Sequence, residues 1–206
     1  MKKFTPRRII VLLIGTVLIG LGIAAFKTAV MGSDPHSAFM FSIAAKVNST
    51  FSICFYLASG IYFVFEYIFA KDLINIGTAF NWFITGYFTD FFLSILSRWF
   101  PAGTPFFTRL LILCAGFLII ALGISMYQTA DLGVGPYDSL AIILDRKLPK
   151  ISYFWCRIFV DGSCAVLAVI FGGINAGLIG VGTVLSAFGF GPFITFFNKY
   201  SRKMVG

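Results

Sequence analysis

Three stretches of this 206-residue chain run without a charged side chain: 18 residues at 9–26, 21 at 110–130 and 26 at 172–197. A bilayer's hydrocarbon core asks for about 20 consecutive apolar residues per helix. These runs restrict the chain to helices that cross a membrane. Composition agrees, with 59% hydrophobic and 12% charged residues, against roughly a quarter charged in soluble domains. No segment reads as a soluble domain.

Six spans are expected, at 9–30, 51–70, 73–96, 109–130, 153–171 and 174–197. Lys71–Asp72 supplies the turn between the second and third, and 171–176 the turn between the fifth and sixth. The net charge of +8 is distributed as the Lys/Arg bias of cytoplasmic loops rather than as a nucleic-acid surface. With both termini cytoplasmic, twelve Lys/Arg fall inside, three (Lys46, Arg98, Arg109) fall outside, and Lys27 lies within the first span. The expected location is a bacterial cytoplasmic membrane, multi-pass. Eight spans would result if 36–46 and 137–145 also crossed. About eleven helical residues cover only roughly 16 Å, so these segments read as short interfacial or re-entrant half-helices.

The chain repeats itself. At an offset of 101, residues 21–39 match 122–140 at seven of nineteen positions, including Thr28/Thr129, Gly32/Gly133 and Pro35/Pro136. Arg8/Arg109 and Gly15/Gly116 keep the same offset. One added residue aligns Cys54/Cys156 and Gly60/Gly162, and three more align Gly77-Thr78 with Gly182-Thr183. Two units follow, 1–100 and 101–206. The basic, then apolar N-terminus has the look of a secretory signal, but its counterpart deep in the chain argues that it is retained. Three crossings per unit is an odd number, so the units must sit in opposite orientations. The expected fold is an all-α membrane protein: six transmembrane helices in two inverted three-helix repeats, each with a short half-helix after its first span. Such repeats recur in secondary transporters.

A long apolar helix ends in Gly-(small)-Gly-Ile, a Leu/Met-Gly-x-x-Pro-x-Asp-type turn follows, a Gly-x-Gly-Thr opens a later helix, and the whole unit is duplicated. In these features the chain resembles the YczE/YyaS/YitT group of bacterial integral membrane proteins, over nearly its whole length. The second copy, "LGVGPYDSL" and "IGVGTVLSAFGFGPFITFF", fits better. The first has Ser37 where the turn's acid would stand and His36 at the aromatic position. The resemblance implies a fold and a membrane location.

The two turns are the first candidates for function. Gly32 and Gly133 are placed to end a helix. Pro35 and Pro136 suit the first position of the next, with Asp34 as an N-cap. A half-helix starting there aims N–H groups and its positive dipole end at whatever lies before it. The turns therefore read either as binding sites or as capped connectors. Candidate substrate-binding residues are Thr28, Asp34, His36, Thr129, Asp131, Tyr137, Asp138 and Asp161.

Ionisable residues within spans are costly and point to function by default. Arg157 and Asp161 stand one turn apart, spaced for an i,i+4 pair. Lys27 could meet Asp90, or extend to the headgroups. Lys27, Asp90 and Arg157 are therefore candidates for ion or proton coupling. Glu66 reads as an interfacial charge beside Lys71.

Gly182 in "GGINAGLIGVGT" reads as a packing glycine, since no strand precedes it and the phosphate-loop Lys is missing. Pro192 is expected to kink the last span. The four cysteines lie within apolar runs without metal-type spacing and read as packing residues. One His and no nucleophile elbow or HExxH make an enzyme unexpected, and no metal, cofactor or nucleic acid is called for. The leading function is a carrier for a polar or amphipathic solute. The runner-up is a non-transporting accessory or scaffold subunit that docks a protein or lipid, and a homodimer or a membrane partner is compatible with either.

Overall fold

A computed structural model describes residues 4–101, 103–173 and 177–205. Eight α-helices make up the described chain, without strands. They are α1 (Pro6–Ala29), α2 (Pro35–Lys46), α3 (Phe51–Phe69), α4 (Ile76–Trp99), α5 (Phe106–Ala130), α6 (Pro136–Lys147), α7 (Tyr153–Gly172) and α8 (Val181–Val205). A 3-10 turn at Lys71–Leu73 joins α3 to α4, where the sequence places a turn.

Five helices, α1, α3, α5, α7 and α8, are long and apolar enough to cross a bilayer. With 24 residues, α4 has the length, but Asn81, Thr85, Thr89 and Asp90 dilute its apolar character. The third expected span is therefore the one that length and composition leave open. The last helix begins later than expected and continues through Pro192 to Val205. Of the expected 171–176 turn, 174–176 lie outside the described residues.

The centre of the bundle is the crossing of α1 and α5. A Cβ on Gly15 would stand 2.7 Å from the Gly123 carbonyl oxygen, and one on Gly22 would stand 2.9 Å from that of Gly116. Since 15 meets 123 and 22 meets 116, the helices run antiparallel. Their four glycines are also two repeat pairs, 15/116 and 22/123. Small residues let apolar helices approach to backbone contact where no hydrophobic difference drives them together.

The same reciprocity holds elsewhere. Arg8 donates to the Ala130 carbonyl at 3.3 Å, and its counterpart Arg109 donates to the Ala29 carbonyl at 2.6 Å and to that of Val30. Each guanidinium thus meets the last carbonyls of the other central helix, where positive charge is favoured. The Gly182 N–H donates to Met31 at 2.9 Å, and the Gly77 N–H donates to Leu132 at 2.7 Å. The Ser33 N–H donates to Leu178 at 2.8 Å, and the Val134 N–H to Leu73 at 3.1 Å. Each turn is seated against the start of the other unit's last helix.

The helix stops differ from expectation by two residues. Val30 (φ 51) and Asp131 (φ 53) take the left-handed position that closes α1 and α5, not Gly32 and Gly133. The glycines are needed for a different reason. Both have positive φ, 101 and 119, and a Cβ on Gly32 would stand 2.6 Å from the Gly180 nitrogen. The turn can cross the opposing backbone only without a side chain.

Pro35 and Pro136 open α2 and α6 as their first residues. These helices have 12 residues each, about 18 Å at 1.5 Å per residue, too short to cross. Each crosses to the other unit: α2 packs on α7 and α6 on α3. Lys46 at the end of α2 lies over the Phe171 ring, and Lys147 at the end of α6 over the Phe69 ring. Both short helices begin inside the bundle and climb back to the end they came from. Large apolar side chains on α3, α4, α7 and α8, among them Leu57, Phe83, Phe159 and Phe188, face outward, forming the lipid-compatible belt that a soluble surface would avoid.

Candidate functional site

The first turns of α2 and α6 open into one shared cavity of about 100 Å³. Most of its wall is assembled from repeat counterparts. Ile19 and Ile23 of α1 face Ile120 and Ile124 of α5, His36 and Ser37 face Tyr137 and Asp138, and Phe55 stands opposite Arg157. Asn81 with Ser186 and Thr85 with Phe190 complete the pairs, at the offset of 105. The isoleucines are alike; the remaining pairs are not.

His36 and Tyr137 stack with ring centroids 4.0 Å apart and planes 17° apart. The two half-helices therefore meet through counterpart side chains. Phe55 and His36 pack edge-to-face with ring centroids 5.6 Å apart. On the α6–α7 side, Arg157 donates to Asp138 at 2.6 Å and to Asp161 at 3.0 Å. Its guanidinium carbon lies 5.1 Å from the Tyr137 ring centre, and the Tyr137 hydroxyl donates to the second oxygen of Asp161. The i,i+4 pair expected at Arg157 and Asp161 exists, but as part of a larger constellation with Tyr137 and Asp138.

On the α2 side Asp34 caps the helix as expected, one oxygen accepting the Ser37 N–H at 3.0 Å. Its other oxygen is buried and bonded to nothing. His36 is 6% exposed with Nε2 unpaired, and Thr85 is 2% exposed with its hydroxyl unpaired. Buried polar groups are nearly always bonded, and exceptions ask for a reason.

Five of the candidate binding residues converge on this cavity, namely Asp34, His36, Tyr137, Asp138 and Asp161, together with Arg157. Thr129 and Asp131 instead border a separate hollow at the end of α5 with Arg8, Gln128, Asn198 and Arg202. Thr28 bonds back to Ala24 within its own helix. Lys27 and Asp90 do not pair with each other. The Lys27 ammonium lies 4.9 Å from the Phe41 ring centre, and Asp90 accepts the Ser52 N–H at 2.9 Å, tying α4 to the start of α3. A carboxylate at that helix start satisfies an N–H that has no partner within the helix.

Glu66 does not reach the molecule's surface. It is fully buried, and neither carboxylate oxygen has a partner. The nearby Lys71 bonds Tyr67 instead. The repeat counterpart of Glu66 is Ala168, also buried. Tyr127, counterpart of Phe26, is 3% exposed with its hydroxyl likewise unpaired. Both polar members of these pairs lie within electrostatic reach of Asp138.

Asn81, Thr85 and Ser186 were not singled out by sequence reasoning. The signal was present in the alignment at offset 105, which pairs polar Asn81 with polar Ser186 inside apolar helices.

Among known proteins, the model of a family of unknown function, DUF6198, matches residues 6–199. The chain is 26% identical over 175 residues to the uncharacterized membrane protein YczE of Bacillus subtilis, covering 84% of this chain and 77% of that one. An uncharacterized protein of Haemophilus influenzae is 26% identical over 199 residues, covering 96% and 86%. The uncharacterized protein YyaS of Bacillus subtilis is 28% identical over 176 residues, covering 84% and 83%. No solved structure matches. These relatives bear out the YczE and YyaS part of the resemblance; nothing in them bears on YitT. The apolar helices and the match over 6–199 lead to one statement: this chain is a membrane protein and belongs to the DUF6198 family.

Proposed function

We propose that this protein is a small secondary carrier with six crossings in two inverted three-helix repeats and both termini cytoplasmic. It moves a small polar or amphipathic solute through the central cavity. One observation carries this reading: seven pairs of repeat counterparts make up most of the cavity wall, at the point where two re-entrant half-helices begin. A site bounded equally by both units can be opened to either end by rocking one against the other, the usual arrangement in inverted-repeat carriers. The antiparallel α1–α5 crossing supports the inversion. The bidentate Arg146–Asp72 pair, 2.8 Å for each bond, supports grouping the basic residues of α6 with the α3–α4 turn at one face.

Topology and transport are tested separately. In a cysteine-free background, Lys46→Cys and Lys147→Cys are expected to react with a membrane-impermeant maleimide from opposite sides. Labelling from the same side sinks the inversion. Proteoliposomes screened against charged and neutral solutes are expected to show flux that Asp161→Asn abolishes without loss of folded protein. Absence of flux across the panel, together with a stoichiometric membrane partner on purification, replaces the carrier with an accessory subunit.

A further inference from the structure

We propose that the central cavity binds a small organic monocation, a protonated primary amine on an apolar body. This inference rests on the carrier reading for its purpose, though not for its chemistry.

The charge count decides the sign. Asp34, Asp138 and Asp161 line the cavity with Arg157 as the one fixed cation among the described residues of its wall. Arg157 is already shared between Asp138 and Asp161, and Asp34 is left without a cation. With all three carboxyls ionised, as they would be opposite a bound cation, three carboxylates against one guanidinium leave two negative charges. The N-termini of α2 and α6 each contribute about half a positive charge, which reduces the deficit to about one. A monocation closes it, whereas a monoanion would double it in a medium that solvates charge poorly.

The unpaired atoms decide the donor pattern. Asp34 Oδ2, His36 Nε2 and Thr85 Oγ1 are buried, unbonded and belong to residues of this one wall. A neutral imidazole can accept at one nitrogen, and a hydroxyl and a carboxylate oxygen both accept. A primary ammonium carries three donors and no acceptor, which matches a wall whose open atoms can all accept.

The rest of the wall decides the body. Four isoleucines, Phe55 and Phe190 offer apolar and ring surface, where a cation also gains from aromatic faces. A bare metal ion would leave that surface unused. Among the described residues no group of three or more His, Cys, Asp or Glu could hold a metal ion. The cavity's roughly 100 Å³ lies below the several hundred Å³ of drug-sized sites, so the solute is small.

Three probes of one skeleton test this: isobutylammonium, isobutanol and isobutyrate, titrated by calorimetry and thermal shift into the purified full-length protein in detergent at pH 7. Isobutylammonium is expected to bind at one site per chain. Isobutyrate should not bind, and tetramethylammonium, which lacks N–H donors, should bind more weakly than the primary amine. Asp34→Asn keeps a competent N-cap and is expected to weaken the amine at least tenfold. Thr85→Val should weaken it less, and the remote surface variant Asp72→Asn should leave it unchanged. Binding of isobutyrate in place of the amine overturns the proposal and leaves the carrier reading standing. So does unchanged amine affinity in Asp34→Asn. Folded protein that binds none of the probes overturns the proposal as well. Tight amine binding with no amine flux in proteoliposomes upholds the site and removes the carrier.

Discussion

Phe55 and Arg157 occupy equivalent places in the two units, four residues into α3 and α7, and both face the central cavity. One packs its ring edge-to-face with His36; the other gathers Asp138 and Asp161 and lies over Tyr137. Their surroundings differ in the same direction: Ser37 and Ser59 stand in the first unit where Asp138 and Asp161 stand in the second. At the α1–α5 crossing, by contrast, glycine faces glycine. The two copies agree at the contacts that hold the frame and differ at the positions that line the cavity. The frame constrains both copies at once because each contact uses a residue from each, whereas the cavity needs each group only once.

The largest expected effect breaks the shared frame. Gly22→Leu and Gly123→Leu each push a side chain into the opposing helix's backbone, at a cost upwards of about 3 kcal/mol. Both should abolish monodisperse protein in detergent to a similar degree. Gly162→Ala is the control: no atom lies within 4 Å of its added Cβ, and the variant should melt at or above the parent temperature, by up to about 1 kcal/mol of helix propensity. Unequal losses at the two crossing glycines would mean that the crossing is not reciprocal.

Next is the asymmetric cavity. Arg157→Phe installs the first unit's residue and strands two carboxylates. It should cost about 2 kcal/mol, less than a fully buried pair, since Asp138 is still 38% exposed. Adding Asp138→Ser and Asp161→Ser makes the wall symmetric and should restore most of the lost melting temperature. If the triple variant is less stable than the single one, the acids serve the frame and not the ligand.

Glu66 reverses the sign. Glu66→Ala installs the residue of its counterpart, Ala168, and removes a buried carboxylate with no partner. An unsatisfied buried group costs about 1–3 kcal/mol, offset in part by the lost side-chain volume. Thermal melting should therefore be unchanged or raised, whereas Ala168→Glu should lower it.

The smallest effect is at the surface. The Arg146 hydrogen bond and charge hold the Asp72 carboxyl below the ordinary carboxylate range. A depressed native value means this pair stabilises at neutral pH, and the contribution disappears as pH falls below about 4. Asp72→Asn should flatten the acid limb of the melting curve slightly at low salt and have no effect at 1 M salt, where screening is nearly complete.

The apolar runs showed where helices lie, and the Gly-x-x-Pro turns showed where they break, to within a few residues for all but the last helix, which begins seven residues late. The constellation around Arg157 was only half legible. Its i,i+4 partner Asp161 follows from helical spacing, but Asp138 lies 19 residues away on another helix. Glu66 misled because a charge four or five residues from a basic turn normally reaches water. Here α6 of the other unit packs on α3, and no spacing along α3 records that.

The sequence by itself determined a duplicated, membrane-embedded helical chain with one break per copy, because long uncharged runs and matched Gly and Pro positions leave few other outcomes. Only the tertiary structure decided that each half-helix packs on the opposite unit, so that two turns make one cavity rather than two. Helices apolar on nearly every face carry no periodic mark of their partners. Backbone approach at glycine and the pairing of stranded carbonyls select the partner, and both exist only once the units have met.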